Sequence, residues 1–164
     1  MAENYAEIIE QIRQQEEQLV FDSFTYDDAF ALGCLLTVRA KEQNLPLTVD
    51  ITRNGQQLFH AALPGTSPDN DQWIIRKNRV VSRMHKSSFQ IGCILKEKGT
   101  TIEEQYLISS AEYAAHGGAF PLTVKDCGVI GTISVSGLPQ ECDHRFVTDV
   151  IAEYLKSKNT QFSR

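Results

Sequence analysis

Leu47-Thr48-Val49-Asp50-Ile51-Thr52-Arg53-Asn54-Gly55 decides the architecture of this chain. Leu47, Val49 and Ile51 alternate with Thr48, Asp50 and Thr52, the period of a strand with one face buried. Asn54-Gly55 supplies the positive φ angles of a tight hairpin turn, so the chain returns through Gln56 to Ala62 and pairs antiparallel with the strand it has just left. A second hairpin is expected downstream: Phe120 to Val124, a turn at Lys125-Asp126-Cys127-Gly128, and a return through Val129 to Val135, rich in Val, Ile and Thr.

Helical patterns surround the hairpins. Ala2 to Gln18 carries Ile8, Ile9 and Ile12 among Glu, Gln and Arg at helical spacing, and a short strand is expected over Leu19 to Phe24. Thr25 with Asp28 resembles a capping box opening a helix that runs to Gln43 and is closed by Pro46. After the first hairpin, Leu63 to Asn70 contains two prolines and a glycine and reads as a shaped loop. Asp69 or Asn70 then caps a helix from near Asp71 through Trp73, Ile74, Val80, Val81 and Met84, with a break near Ser87-Ser88. A helix over Phe89 to Lys98 ends at Gly99, and Thr101 with Glu104 opens a short helix. Phe146, Val147, Val150, Ile151, Tyr154 and Leu155 form the apolar stripe of the last helix, beyond which a polar, frayed tail is expected from Lys156. This order predicts an α+β domain over residues 1–164, profilin-like, with a five-stranded, mostly antiparallel sheet and helices packed on it.

Composition narrows the function classes. The 164 residues are 41% hydrophobic and 23% charged, near the globular average, and no apolar run approaches the length of a membrane span. The N-terminus is acidic and helix-patterned, so neither a signal peptide nor a membrane anchor is expected and the location reads as cytoplasmic. Cys34, Cys93, Cys127 and Cys142 are scattered without metal-ligand spacing, so reduced thiols and no metal site are expected. A net charge of −5 argues against nucleic acid as a partner.

The runs Gly117-Gly118-Ala119-Phe120-Pro121-Leu122 and Gly128 to Gly137 (GVIGTISVSG) resemble the GlcG/HbpS-like superfamily, also called the heme-degrading domain family. Leu63-Pro64-Gly65-Thr66, Pro68-Asp69-Asn70, Trp73-Ile74, Arg76-Lys77, Tyr113 to Gly118, Gly137-Leu138-Pro139-Gln140 and Asp143-His144 are similar to a branch of it found in bacteria and fungi. The resemblance implies a profilin-like fold and a symmetric homo-oligomer. As a possible cofactor it implies heme or a related tetrapyrrole.

The candidate site residues follow from chemistry at those motifs. Each of His60, His85, His116 and His144 offers a neutral imidazole that could ligate heme iron or a divalent metal, but none shares a short ligand spacing with another, and a hydrogen-bonding role is the expectation for any one of them. His116 stands beside Gly117-Gly118, whose amides form an anion nest in one reading and serve only turn geometry in the other. Asp143-His144 invites an acid/base reading, although neighbours on a helix point about 100° apart and a capping role for Asp143 competes with it. Arg76, Lys77 and Arg79, expected near the start of their helix, are read either as a clamp for carboxylates or phosphate or as solvated surface. Ser136 and Gly137 close the list of ligand-binding candidates, and Ser136 lacks a nucleophile elbow. Three functions remain open at this point. The first is a small oligomeric ligand-binding protein. The second is an enzyme using His116, Asp143, His144 and Arg76 across a subunit boundary. The third is an assembly or chaperone-partner module contacting others through its N-terminal helix.

Overall fold

The computed structural model describes residues 3–161. Helices α1 (Tyr5–Gln18) and α2 (Tyr26–Glu42) precede the first hairpin, β1 (Thr48–Arg53) and β2 (Gln56–Ala62). Helices α3 (Pro68–Met84), α4 (Ser88–Lys98) and α5 (Ile102–Tyr106) separate it from the second hairpin, β3 (Ala119–Val124) and β4 (Gly128–Ser136), and α6 (Gln140–Gln161) follows. The strands form one antiparallel sheet in the order β2-β1-β4-β3, with Thr48 opposite Ser136 and Arg53 opposite Gly131. Asn54 and Gly55 adopt the positive φ angles, 50° and 80°, that the first turn demands.

The sheet's two faces differ in chemistry. Val49, Ile51, Phe120, Leu122, Ile133 and Val135 point to one face and pack with Leu32 and Leu36 of α2 and with Val147 and Ile151 of α6, forming the main core. Each such side chain, fully buried, favours folding by about 1.5 to 3 kcal/mol. The opposite face carries Thr48, Asp50, Thr132, Ser134 and Ser136, all buried, and α3 lies across it. Three of them are hydrogen-bonded: Asp50 accepts from Thr52 (2.8 Å), Gln57 (2.6 Å) and Asn78 (3.4 Å), Ser134 donates to Asn78 and Ser136 accepts from Asn70 (3.4 Å), whereas the Thr48 and Thr132 hydroxyls have no partner among the described residues. A smaller cluster of Val80, Ile91, Leu95 and Ile102 joins α3, α4 and α5.

Three expectations are corrected. The sheet has four strands, not five, because Leu19 to Phe24 contributes only one parallel bridge, Phe21 to Val124. Phe21 and Phe24 are both buried, with ring centroids 5.0 Å apart, yet residues three apart on a strand point to opposite faces, so the chain must bend between them. Helix α3 starts at Pro68, not near Asp71, with Ser67 as its N-cap and Asn70 Oδ1 accepting from the Ser67 amide at 2.9 Å. Proline at the first helical position fixes that start and places Arg76 and Lys77 in mid-helix. Helix α6 continues through the expected tail to Gln161, and Lys158 pairs with Asp28 of α2. Ala2 and residues 162–164 of the expected end segments lie outside the described residues.

Candidate functional site

On α3, Asn70, Trp73 and Lys77 recur at helical spacing and so share one face. That face forms one wall of a pocket of about 370 Å³ at the end of the polar side of the sheet. His116 and Gly117, ahead of β3, form a second wall, and Ser136, Gly137 and Leu138 at the end of β4 a third. Gln140 and Asp143, three apart on the first turns of α6, close it.

At the pocket floor Lys77 is 2% exposed. Its Nζ donates to Val135 O at 2.7 Å, Gly117 O at 3.0 Å and Asp143 Oδ2 at 3.3 Å. These three acceptors occupy the three protons of an ammonium, so Lys77 ties α3 to both ends of the second hairpin and to α6. Burial pushes the Lys77 pKa down, and the Asp143 charge opposes that shift. Burial pushes the Asp143 carboxyl up, opposed by Lys77 and by the Leu138 amide, which donates to Oδ1 at 3.0 Å.

The paired glycines are explained by this packing. A Cβ at Gly118, where φ is 129°, would stand 2.3 Å from Lys77 Nζ, and one at Gly117 would stand 2.1 Å from Gln140 O. The Gly117 amide is bonded to Gln140 Oε1 at 3.2 Å, so it is committed within the protein and does not offer an open nest. Glycine here lets the ammonium and the start of α6 approach the backbone.

His116 differs from the pocket's other titratable groups, Lys77 and Asp143. Its ring stands exposed at the rim, edge-on to Trp73 with centroids 5.3 Å apart, and engages no hydrogen-bond partner among the described residues. Partial desolvation, followed by the charges of Lys77, Lys96 and Arg76, lowers its pKa, which favours the neutral imidazole near neutral pH. Arg76 does not line this pocket: its guanidinium lies 4.2 Å from the centre of the Trp73 ring.

His144 is also outside the pocket. It is buried between the rings of Phe89 (4.9 Å) and Phe120 (6.2 Å), with Nε2 bonded to Gln15 of α1 at 2.9 Å and Nδ1 without a partner. Burial brings its pKa down to about 4. Asp143 and His144 thus face different surroundings, as a 100° separation on a helix requires, and the structure does not join them as an acid/base pair. Of the expected site residues, Lys77, His116, Gly117, Ser136, Gly137 and Asp143 come together, whereas Gly118 lies behind the floor. Asn70, Trp73, Leu138 and Gln140 are not among the expected site residues, although all four lie in the motifs that carry the family resemblance; the shared helical face of Asn70, Trp73 and Lys77 is the signal that identifies the first two.

The fold and pocket define an α+β protein whose antiparallel sheet ends in a small polar cavity with an aromatic wall. The chain belongs to the HbpS-like family: the family model described as "Haem degrading protein HbpS-like" matches residues 24–152. A UPF0303 protein of Streptomyces avermitilis is 52% identical over 147 residues, covering 90% of each chain. The crystal structure of Ybr137w protein is similar at TM-score 0.83 and 36% identity, covering 91% of this chain and 88% of that one. The fold is also that of the PduOC:heme complex, at TM-score 0.63 and 18% identity, covering 79% of this chain and 94% of that one. No helix among the described residues is long and apolar enough to cross a membrane.

Proposed function

We propose that the pocket binds a planar ligand of the tetrapyrrole class, such as heme, and that His116 is the side chain that meets its centre. The observation carrying this reading is the His116 imidazole at the pocket mouth, beside the Trp73 ring and without a hydrogen-bond partner among the described residues, its pKa lowered by partial desolvation. An unprotonated ring nitrogen has the lone pair that heme iron accepts, so the donor fits the group. Trp73 supplies an aromatic edge for a flat ligand, and the Lys77–Asp143 pair holds the floor rigid beneath it. Membership of the HbpS-like family and the likeness to a protein solved as a heme complex support the choice of ligand class. Bound heme would supply an iron centre for exogenous ligands or electrons; the chain's own part is to position and shield it.

A hemin titration followed in the Soret band tests the proposal. The wild type is expected to give a saturable shift and His116→Ala a loss of at least about tenfold in affinity, the scale of one strong contact. Because His116 is exposed, the substitution should change stability by no more than about 0.5 kcal/mol. Identical titrations of the two proteins would remove His116 from the site.

The homo-oligomer implied by the family has its best supporting surface beside edge strand β2. Tyr26 and Phe30 are 61% and 65% exposed there, and Phe30 packs edge-on to Phe59 of β2. Sedimentation should show a self-associated species that Phe30→Glu disperses; a wild type sedimenting only as a monomer would contradict assembly.

A further inference from the structure

A second chamber of about 380 Å³ lies on the other side of His116, which lines both it and the pocket described above. Its walls come from α4 and from the segment ahead of β3, including Gly92, Leu95, Tyr113 and Ala114. Two cations, Arg76 and Lys96, line it, and no aspartate or glutamate does. Neither cation has a carboxylate partner among the described residues: Arg76 rests on the Trp73 ring and Lys96 lies 5.6 Å from the centre of the Tyr5 ring. Most surface arginines and lysines cost little to leave unpaired, but two in a concave site without a counter-charge make a ready place for an anion.

We infer that the two chambers are one bipartite site divided by His116, in which the second chamber takes the acidic arm of the ligand between Arg76 and Lys96. The inference rests on the reading that the first chamber takes a planar ligand, and it specifies that ligand as a flat aromatic system bearing at least one carboxylate. The spacing on α3 is what connects the two halves. Trp73 faces the first chamber and Arg76, less than one turn later, faces the second, so a plane laid beside Trp73 and His116 presents its edge to the guanidinium. The first chamber alone stands near the lower end of the range of about 300 to 1,000 Å³ for ligand pockets, so a macrocycle held there must extend past His116. The depressed pKa of His116 agrees, since after desolvation its causes are the nearby cations Lys77, Lys96 and Arg76. Arginine suits the role because its planar fork matches a carboxylate in two parallel hydrogen bonds, with Lys96 adding a point charge.

Hemin and its dimethyl ester, which lacks the two acids but keeps the ring and iron, separate the two claims. In one detergent buffer, the wild type is expected to bind hemin at least about tenfold more tightly than the ester, the effect of one charge-assisted pair. In the double variant Arg76→Gln/Lys96→Gln, hemin affinity should fall to that of the ester while ester affinity stays unchanged. Equal wild-type affinity for both compounds, or a double variant that keeps the preference for hemin, overturns the acidic-arm chamber and leaves the planar-ligand reading standing. Failure of the wild type to bind either compound overturns both. Thermal melts confirm that the double variant is folded before its affinities are compared.

Discussion

Replacing Lys77 by methionine is expected to destabilise the protein by about 3 to 5 kcal/mol, the cost of breaking a buried ion pair from one side. Lys77 and Asp143 are 2% and 3% exposed, so water cannot replace what is lost. Methionine keeps the length and apolar stem of the side chain but leaves the Val135 and Gly117 carbonyls and one oxygen of Asp143 without their donor. Adding Asp143→Asn to Lys77→Met should restore part of the loss, because the stranded charge is then gone while the amide oxygen can still accept from Leu138. Urea denaturation of the wild type, the single and the double variants measures both effects. A loss below about 1 kcal/mol for Lys77→Met would place the ammonium in water instead of at the junction of α3, α6 and the second hairpin.

Acidification should weaken the fold through His144, by up to about 3 kcal/mol for a displacement from 6.5 to about 4. Within that window the unfolded chain binds a proton at residue 144 that the folded chain refuses. The stabilising effect of the neutral ring is therefore complete above pH 6.5 and declines as the pH falls towards 4. Asp143 and Glu16 have carboxyl pKa values raised chiefly by burial and act in the opposite sense, gaining relative stability as they protonate. The His144 contribution is accordingly the difference between wild type and His144→Phe, whose ring suits the space between Phe89 and Phe120. Chemical denaturation at pH 7 and pH 4.5 should show a smaller loss for the variant; parallel pH profiles would mean that His144 is accessible to water.

The hairpins were legible in the sequence because their signals are local. Asn54-Gly55 and the alternation around it specify turn and register within a few residues. Leu19 to Phe24 misleads for the converse reason: its strand-like composition is overridden by a tertiary demand to bury both Phe21 and Phe24, which no local pattern expresses. Asp69 and Asn70 are good caps and point to a start of α3 near Asp71; Ser67 is one too, and the proline that follows it at the first helical position marks the true start.

The site divides in the same way. The place of the pocket, between Gly117-Gly118 and Ser136-Gly137, could be read from glycine-rich turns and the family resemblance. The roles within it could not. Lys77 lies in a run of basic residues where composition reports charge but not direction, and only the packing of α3 on the sheet shows that it turns inward while Arg76 does not. The glycines advertise a close approach, yet the approaching groups are Lys77 Nζ and the first carbonyl of α6, forty and twenty-three residues away from Gly117 in sequence.

Binding of a tetrapyrrole at His116 and Trp73 is the central claim, and a nitrogen-labelled sample titrated with hemin tests it most directly. Trp73 is the only tryptophan in the chain, so its indole N–H gives a single resolved signal. Paramagnetic iron held at this pocket should erase that signal and the side-chain amides of Asn70 and Gln140 first, at substoichiometric hemin, while the Asn54 amide at the far hairpin turn persists. Loss of signals centred elsewhere on the protein, or a spectrum that hemin leaves unchanged, would contradict the account.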